Sequence, residues 1–200
     1  MPRTQYSLFI ERLKNCTIIK GSIWIILGSF EGFQEWFDNF TTSGVIFSPM
    51  HPSDLNVLSS VKEITGSLRI EAHHPEFTSL DVFRNVETIG GREQTSEYFS
   101  ALYILKSSLI SLNLKSLKEI TFGSVFIVEN EELCYVDKCD WRPIVKSANR
   151  NRIIVVNNRK KQKCVAELKT CDNKCRISGC WGPGKSMCLP FNVDNDCRGR

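Results

Sequence analysis

The sequence predicts an α/β solenoid ending in a small disulfide-rich module, and three observations carry that expectation. A short unit recurs: LKNCTIIKGSIWI (Leu13 to Ile25), VKEITGSLRI (Val61 to Ile70) and LKEITFGSVFI (Leu117 to Ile127) share an apolar start, two polar residues, an Ile, a nearby Gly and then alternating apolar positions. After Gly21, Gly66 and Gly123 the apolar residues fall at period two, as Ile23/Ile25, Leu68/Ile70 and Val125/Ile127, which is the pattern of a short strand with one buried face. Cysteines crowd the end of the chain, where Cys164, Cys171, Cys175, Cys180, Cys188 and Cys197 follow one another closely.

Each glycine suits a turn that needs positive φ or a close approach of backbones. NVETIGG, Asn85 to Gly91, is a degenerate fourth copy. The intervals between copies are irregular, so each unit reads as one coil with loops of variable length inserted. A β-sandwich would also show short alternating strands; the repeated glycine placement favours the solenoid. Between the first two copies, Leu27 to Met50 is rich in aromatics (Phe30, Phe33, Trp36, Phe37, Phe40, Phe47), either core under a long loop or a surface for a partner. PSDLNVLSSVKEI is the best helical signal, with Ser53 or Asp54 as cap and Leu55, Leu58 and Val61 on one face. After Lys163 aliphatic residues thin out, which divides the chain into a larger domain over 1–166 and a cysteine-rich module over 167–200.

A net charge of +4 arises largely from one run, Arg150 to Lys163, and is no nucleic-acid footprint. The cysteine density points to an oxidising compartment, and the acceptor patterns at Asn15 and Asn39 agree with glycosylation there. The chain shows neither a secretory leader nor eighteen consecutive apolar residues, so it reads as a piece of a longer extracellular protein.

GCWGPGKS, Gly179 to Ser186, fits the formal phosphate-loop pattern. A working loop needs a strand entering and a helix leaving, so that N–H groups converge on the phosphates. Here cysteines interrupt the motif, and Pro183 and Pro190 oppose the helix, so the match reads as accidental. Zinc is the alternative to disulfides for Cys171 to Cys188, but structural zinc sites usually combine close cysteine pairs with a second pair or with histidines at longer range, and no histidine lies beyond His74. His51, His73 and His74 lie in loop stretches without an evident nucleophile, so neither catalysis, a metal nor a cofactor is expected. NRKKQK, Asn158 to Lys163, is a solvated loop edge or a polyanion site.

NCTIIKGSIWI, VKEITGSLRI, LKSLKEITFGSVFIVENEELCY and CDNKCRISGCWGPGKSMC resemble, in this order, the extracellular region of the epidermal growth factor receptor family. The match looks like the second receptor L domain followed by the start of the second furin-like cysteine-rich region. That resemblance implies a right-handed β-helix of leucine-rich-like coils and the disulfides Cys134–Cys164, Cys171–Cys180 and Cys175–Cys188, each worth roughly 2–4 kcal/mol. It implies that Trp181 orients the cysteine-rich rod against the last coils, and that Cys16 pairs upstream of Met1. Cys139 and Cys197 have no implied partner. The implied ligand is a growth-factor-like polypeptide held between two L domains, with Glu71, Ser96, Phe99 and Glu131 at ligand-facing positions. A second receptor chain is a further implied partner, and the membrane is reached only through a downstream segment. The expected role is binding without catalysis in this chain, on the extracellular side of the plasma membrane as part of a receptor tyrosine kinase. A secreted decoy or adhesion module is the alternative.

Overall fold

The computed structural model describes residues 10–31, 49–91, 100–146, 153–167, 170–175 and 179–189. Each recurring unit folds as two short strands separated by its glycine turn. The first strands, β1 (Ile18–Ile19), β3 (Glu63–Ile64), β5 (Thr88–Ile89) and β7 (Glu119–Ile120), form one parallel sheet in chain order. The second strands, β2 (Ile23–Ile26), β4 (Leu68–Glu71), β6 (Ser100–Leu105) and β8 (Ser124–Val128), join β9 (Ile153–Val156) in a second parallel sheet, also in chain order. The unit at Asn85 contributes β5 and β6, so the degenerate copy is a full rung.

Register follows the apolar alternation, because a slip of one residue would turn every inward side chain outward. Ile25, Ile70, Ile104, Ile127 and Val155 stand opposite one another across five strands, and Ile23, Leu68, Leu102, Val125 and Ile153 form the parallel row. Ile19, Ile64, Ile89 and Ile120 make the equivalent row in the smaller sheet. Most of these residues are fully buried and belong to one continuous core; each such side chain contributes about 1.5–3 kcal/mol on burial.

The glycines meet both requirements that the repeat suggests. Gly21 and Gly123 have φ of 123° and 81°, a region costly for residues with a Cβ. Gly66 has no such φ, but a Cβ there would lie 2.7 Å from the carbonyl carbon of Gly21, so it permits two rungs to stack.

The segment Pro52–Ser60 departs from expectation: it is a 3-10 helix capped by His51. The His51 ring nitrogen accepts the Ser53 N–H at 3.3 Å and the Asp54 carboxylate accepts the His51 N–H at 2.9 Å. Leu55 and Leu58 are buried in it, with Val61 just after, and this strict spacing of three matches three residues per turn. In the aromatic stretch, Phe30 is buried against Phe77, with ring centroids 5.0 Å apart. Phe33, Trp36, Phe37, Phe40 and Phe47 lie outside the described residues. Among the described residues no helix is long and apolar enough to cross a membrane.

Candidate functional site

The strands that bury Ile25, Ile70, Ile104 and Ile127 must turn the residues between them outward. Trp24, Arg69, Tyr103, Phe126 and Ile154 share one register across β2, β4, β6, β8 and β9, and so form a row over the outer face of the larger sheet. The guanidinium of Arg69 lies 4.6 Å from the Tyr103 ring centroid and 5.8 Å from that of Trp24, within reach of cation–π attraction. Tyr103 and Phe126 stack at 4.8 Å with 8° between their planes.

Beside this row Ile26 pairs with Glu71, and Leu105 with Val128 and Val156. Glu71 binds Arg69 through one oxygen, Oε2, at 2.8 Å from Nε and 2.6 Å from Nη2. Burial, and next the Glu71 carboxylate, push the Tyr103 hydroxyl above its ordinary pKa. Trp24 is 59% exposed, Val156 48% and Ile154 43%. A face so apolar at both ends, with an ion pair near its middle, suits a partner rather than water. At the Trp24 end of the row, a cleft of about 470 Å³ is lined by Leu13, Cys16, Met50 and Leu58 and by the inward-facing Ile23 and Ile25, with Trp24 also on its wall.

Of the residues implied to face a ligand, Glu71 stands on this face. Glu131 is exposed in the turn beyond β8 and lines a separate cleft with His73, Lys106, Glu129 and Glu132. Ser96 and Phe99 lie outside the described residues, as do Asn39 and Cys197. Asn15 is exposed and has φ of 66°. The sequence reading passed over Trp24, Arg69, Tyr103, Phe126 and Ile154. The signal for Trp24, Arg69 and Phe126 was in the same alternation, at the positions between the apolar ones.

At the other end of the chain, disulfides join Cys134 to Cys164, Cys171 to Cys180 and Cys175 to Cys188. The stretch from Gly179 is no phosphate cradle: the backbones of Cys180 and Cys188 pair as an isolated antiparallel β-bridge, and Lys185–Met187 is a single 3-10 turn. Trp181 is 1% exposed and packs edge-on against Trp141 at 5.5 Å, in the same core as the sheets. The next residue, Gly182, lies close to Asn113, since a Cβ there would stand 3.1 Å from Asn113 Oδ1. In the basic run Arg159 is engaged by Glu132 and Glu167, so it ties the turn after β8 to the helix Lys161–Glu167.

Cys16 and Cys139 are free thiols. The Cys139 sulfur lies 3.6 Å from the Tyr135 carbonyl and 3.9 Å from that of Cys180. Burial, reinforced by Asp137, pushes its pKa from 9.0 up to about 12. A raised thiol pKa keeps the group protonated, and only the thiolate is nucleophilic. At pH 8 the folded chain is therefore expected to take up iodoacetamide at Cys16, while Cys139 reacts only after unfolding; peptide mapping after timed labelling measures this. The raised pKa contributes stability that is fully present below pH 9 and is lost as pH rises toward 12.

The chain matches the Receptor L domain family over residues 15–145. It is similar to the epidermal growth factor receptor of Apis mellifera, 46% identical over 191 residues, which is 94% of this chain and 15% of that protein. The epidermal growth factor receptor of Drosophila melanogaster is 41% identical over 191 residues, 94% of this chain and 13% of the relative. The human receptor tyrosine-protein kinase erbB-4 is 37% identical over 180 residues, covering 90% and 13%. The chain thus spans about a seventh of the length of these relatives.

Proposed function

Because this chain belongs to the receptor L domain family, we propose that it binds a growth-factor-like polypeptide on the outer face of its five-stranded sheet, as an extracellular module of an epidermal-growth-factor-receptor-like protein. The observation that carries this reading is the row Trp24, Arg69, Tyr103, Phe126 and Ile154, a continuous aromatic and apolar strip with exposed ends. Its rungs are read as right-handed coils of a β-helix, which hold these side chains at about 4.8 Å intervals and so present a preformed surface that loses little entropy on binding. The three disulfides fit an oxidising, extracellular setting. The cysteine-rich segment from about residue 167 begins a rod set by Trp181, and the part played by this chain is recognition, with any kinase chemistry belonging to other parts of the parent protein.

Large aromatic anchors carry much of an interface's energy. Titration calorimetry of the oxidised chain with epidermal-growth-factor-like domains is expected to show binding that Trp24→Ala and Phe126→Ala each weaken about tenfold, or about 1.4 kcal/mol. Binding that ignores both substitutions but is lost on changing Glu63 and Glu119, on the smaller sheet, would overturn the assignment of the face.

A further inference from the structure

Arg69 is an unusual group to find in the middle of an apolar strip. Its guanidinium is held between the rings of Trp24 and Tyr103, and Glu71 fixes it from one side by taking Nε and Nη2 on the single oxygen Oε2. An arginine carries five N–H donors in a planar fork. The side-on edge, Nε with Nη2, is occupied by Glu71. The end-on edge, Nη1 with the second Nη2 hydrogen, has no protein acceptor among the described residues. The side chain remains 39% exposed, against 22% for Glu71, so the fork is the more accessible member of the pair.

We propose that Arg69 is the specificity-determining residue of this face and reads a carboxylate of the polypeptide ligand through its end-on fork; the inference rests on the ligand-binding role assigned to the face above. Three physical arguments support it. A polypeptide laid over Trp24 and Phe126 removes water from Arg69, and donors left unpaired there would penalise binding, so a complementary acceptor is required. Two parallel N–H groups match the two oxygens of a carboxylate, and no lysine reproduces that geometry. A basic ligand residue finds no equal opportunity, because Glu71 already accepts two contacts from Arg69 and neighbours the Tyr103 hydroxyl. The selected ligand therefore presents one acidic group, from Asp, Glu or a chain terminus, flanked by apolar side chains that reach Trp24 on one side and Phe126 on the other.

The test uses disulfide-looped peptides of random sequence, selected by phage display on the oxidised 200-residue chain. Selected peptides are resynthesised with each Asp or Glu changed to Asn or Gln, and with free or amidated C-termini. The expected result is one carboxylate whose neutralisation weakens binding at least tenfold on the wild-type chain and less than twofold on Arg69→Gln. Arg69→Lys, which keeps the charge but not the fork, is expected to recover less than half of that discrimination, and thermal unfolding of both variants verifies that they are folded. The free and amidated forms separate a chain terminus from a side chain. Peptides that depend on Trp24 and Phe126 but are indifferent to Arg69→Gln would overturn the inference and leave the face assigned. Peptides indifferent to all three residues, or no selected peptides, would overturn the assignment of the face and the inference with it.

Discussion

Trp181→Ala is expected to release the cysteine-rich module from the last rung at a cost of about 3–5 kcal/mol, the range for truncating a buried tryptophan. Trp181 is 1% exposed, meets Trp141 edge-on, and shares the core cluster with Leu189, Ile144 and Val145. Two disulfides hold the module's own loops but neither reaches the sheets. Among the described residues, the attachment of 170–175 and 179–189 to the sheets therefore rests on packing, and Trp181 is the largest fully buried side chain in it. The buried indole nitrogens of Trp181 and Trp141 have no hydrogen-bond partner among the described residues, so the ring's contribution there is contact area rather than polar bonds. Trp181→Phe, which keeps an aromatic ring beside Trp141, is expected to cost at least about 1 kcal/mol less than the alanine variant. Denaturant unfolding followed by tryptophan fluorescence, with limited proteolysis between residues 164 and 189, measures both. Equal losses for the two variants would mean that the joint rests on something other than aromatic packing.

What could be read from the residues divides along a physical line. The inward rows were legible, because the identity of Ile25, Leu68, Ile70, Val125 and Ile127 and their period of two are local properties. Gly66 was legible for the same reason, since a glycine just before a strand signals a close approach, and Gly21 lies against it. The outer row was not legible as a row. Trp24, Arg69, Tyr103 and Phe126 are far apart in the chain and separated by loops of unequal length, and only the register of four stacked strands brings them together. The 3-10 form of Pro52–Ser60 was missed because a spacing of three at Leu55, Leu58 and Val61 fits one face of an α-helix nearly as well. The corners after the strands carry no glycine signal either: Lys106, Glu129 and Asn157 take φ between 45° and 57° where β6, β8 and β9 end. The disulfide partners came from family resemblance, since spacing alone permits many connectivities.

One of those corners bears the largest expected loss outside the joint. Asn130 is fully buried just after β8, and its carboxamide serves three rungs at once. Its oxygen accepts from the Ser107 N–H at 2.9 Å and the Ser107 hydroxyl at 2.7 Å. Its nitrogen lies 3.2 Å from the Ile104 carbonyl, 3.0 Å from that of Val128 and 2.9 Å from Asn158 Oδ1. Asn158 in turn donates to the Ile127 carbonyl at 2.9 Å, so the two side chains tie β6, β8 and the turn after β9 into one polar network. Removing a member of a buried network leaves its partners unpaired, at about 1–3 kcal/mol for each group. Asn130→Ala is expected to destabilise the fold by about 3–5 kcal/mol, near the upper limit for single substitutions. Asn130→Asp separates shape from donor chemistry, because the isosteric carboxylate would face the oxygens of Ile104, Val128 and Asn158 with nothing to donate. Its protonated form restores one donor, so the folded-state pKa of the introduced acid is raised above the unfolded value of about 3.9. The variant should therefore keep most of its stability below that value and lose it as pH rises through the higher folded-state pKa. Thermal unfolding of wild type and Asn130→Asp at pH 4 and pH 7 decides the point: a difference between the two proteins that grows toward pH 7 is expected. A difference that is constant with pH, or that shrinks, would mean that water reaches the corner and the network is not what holds the rungs in register.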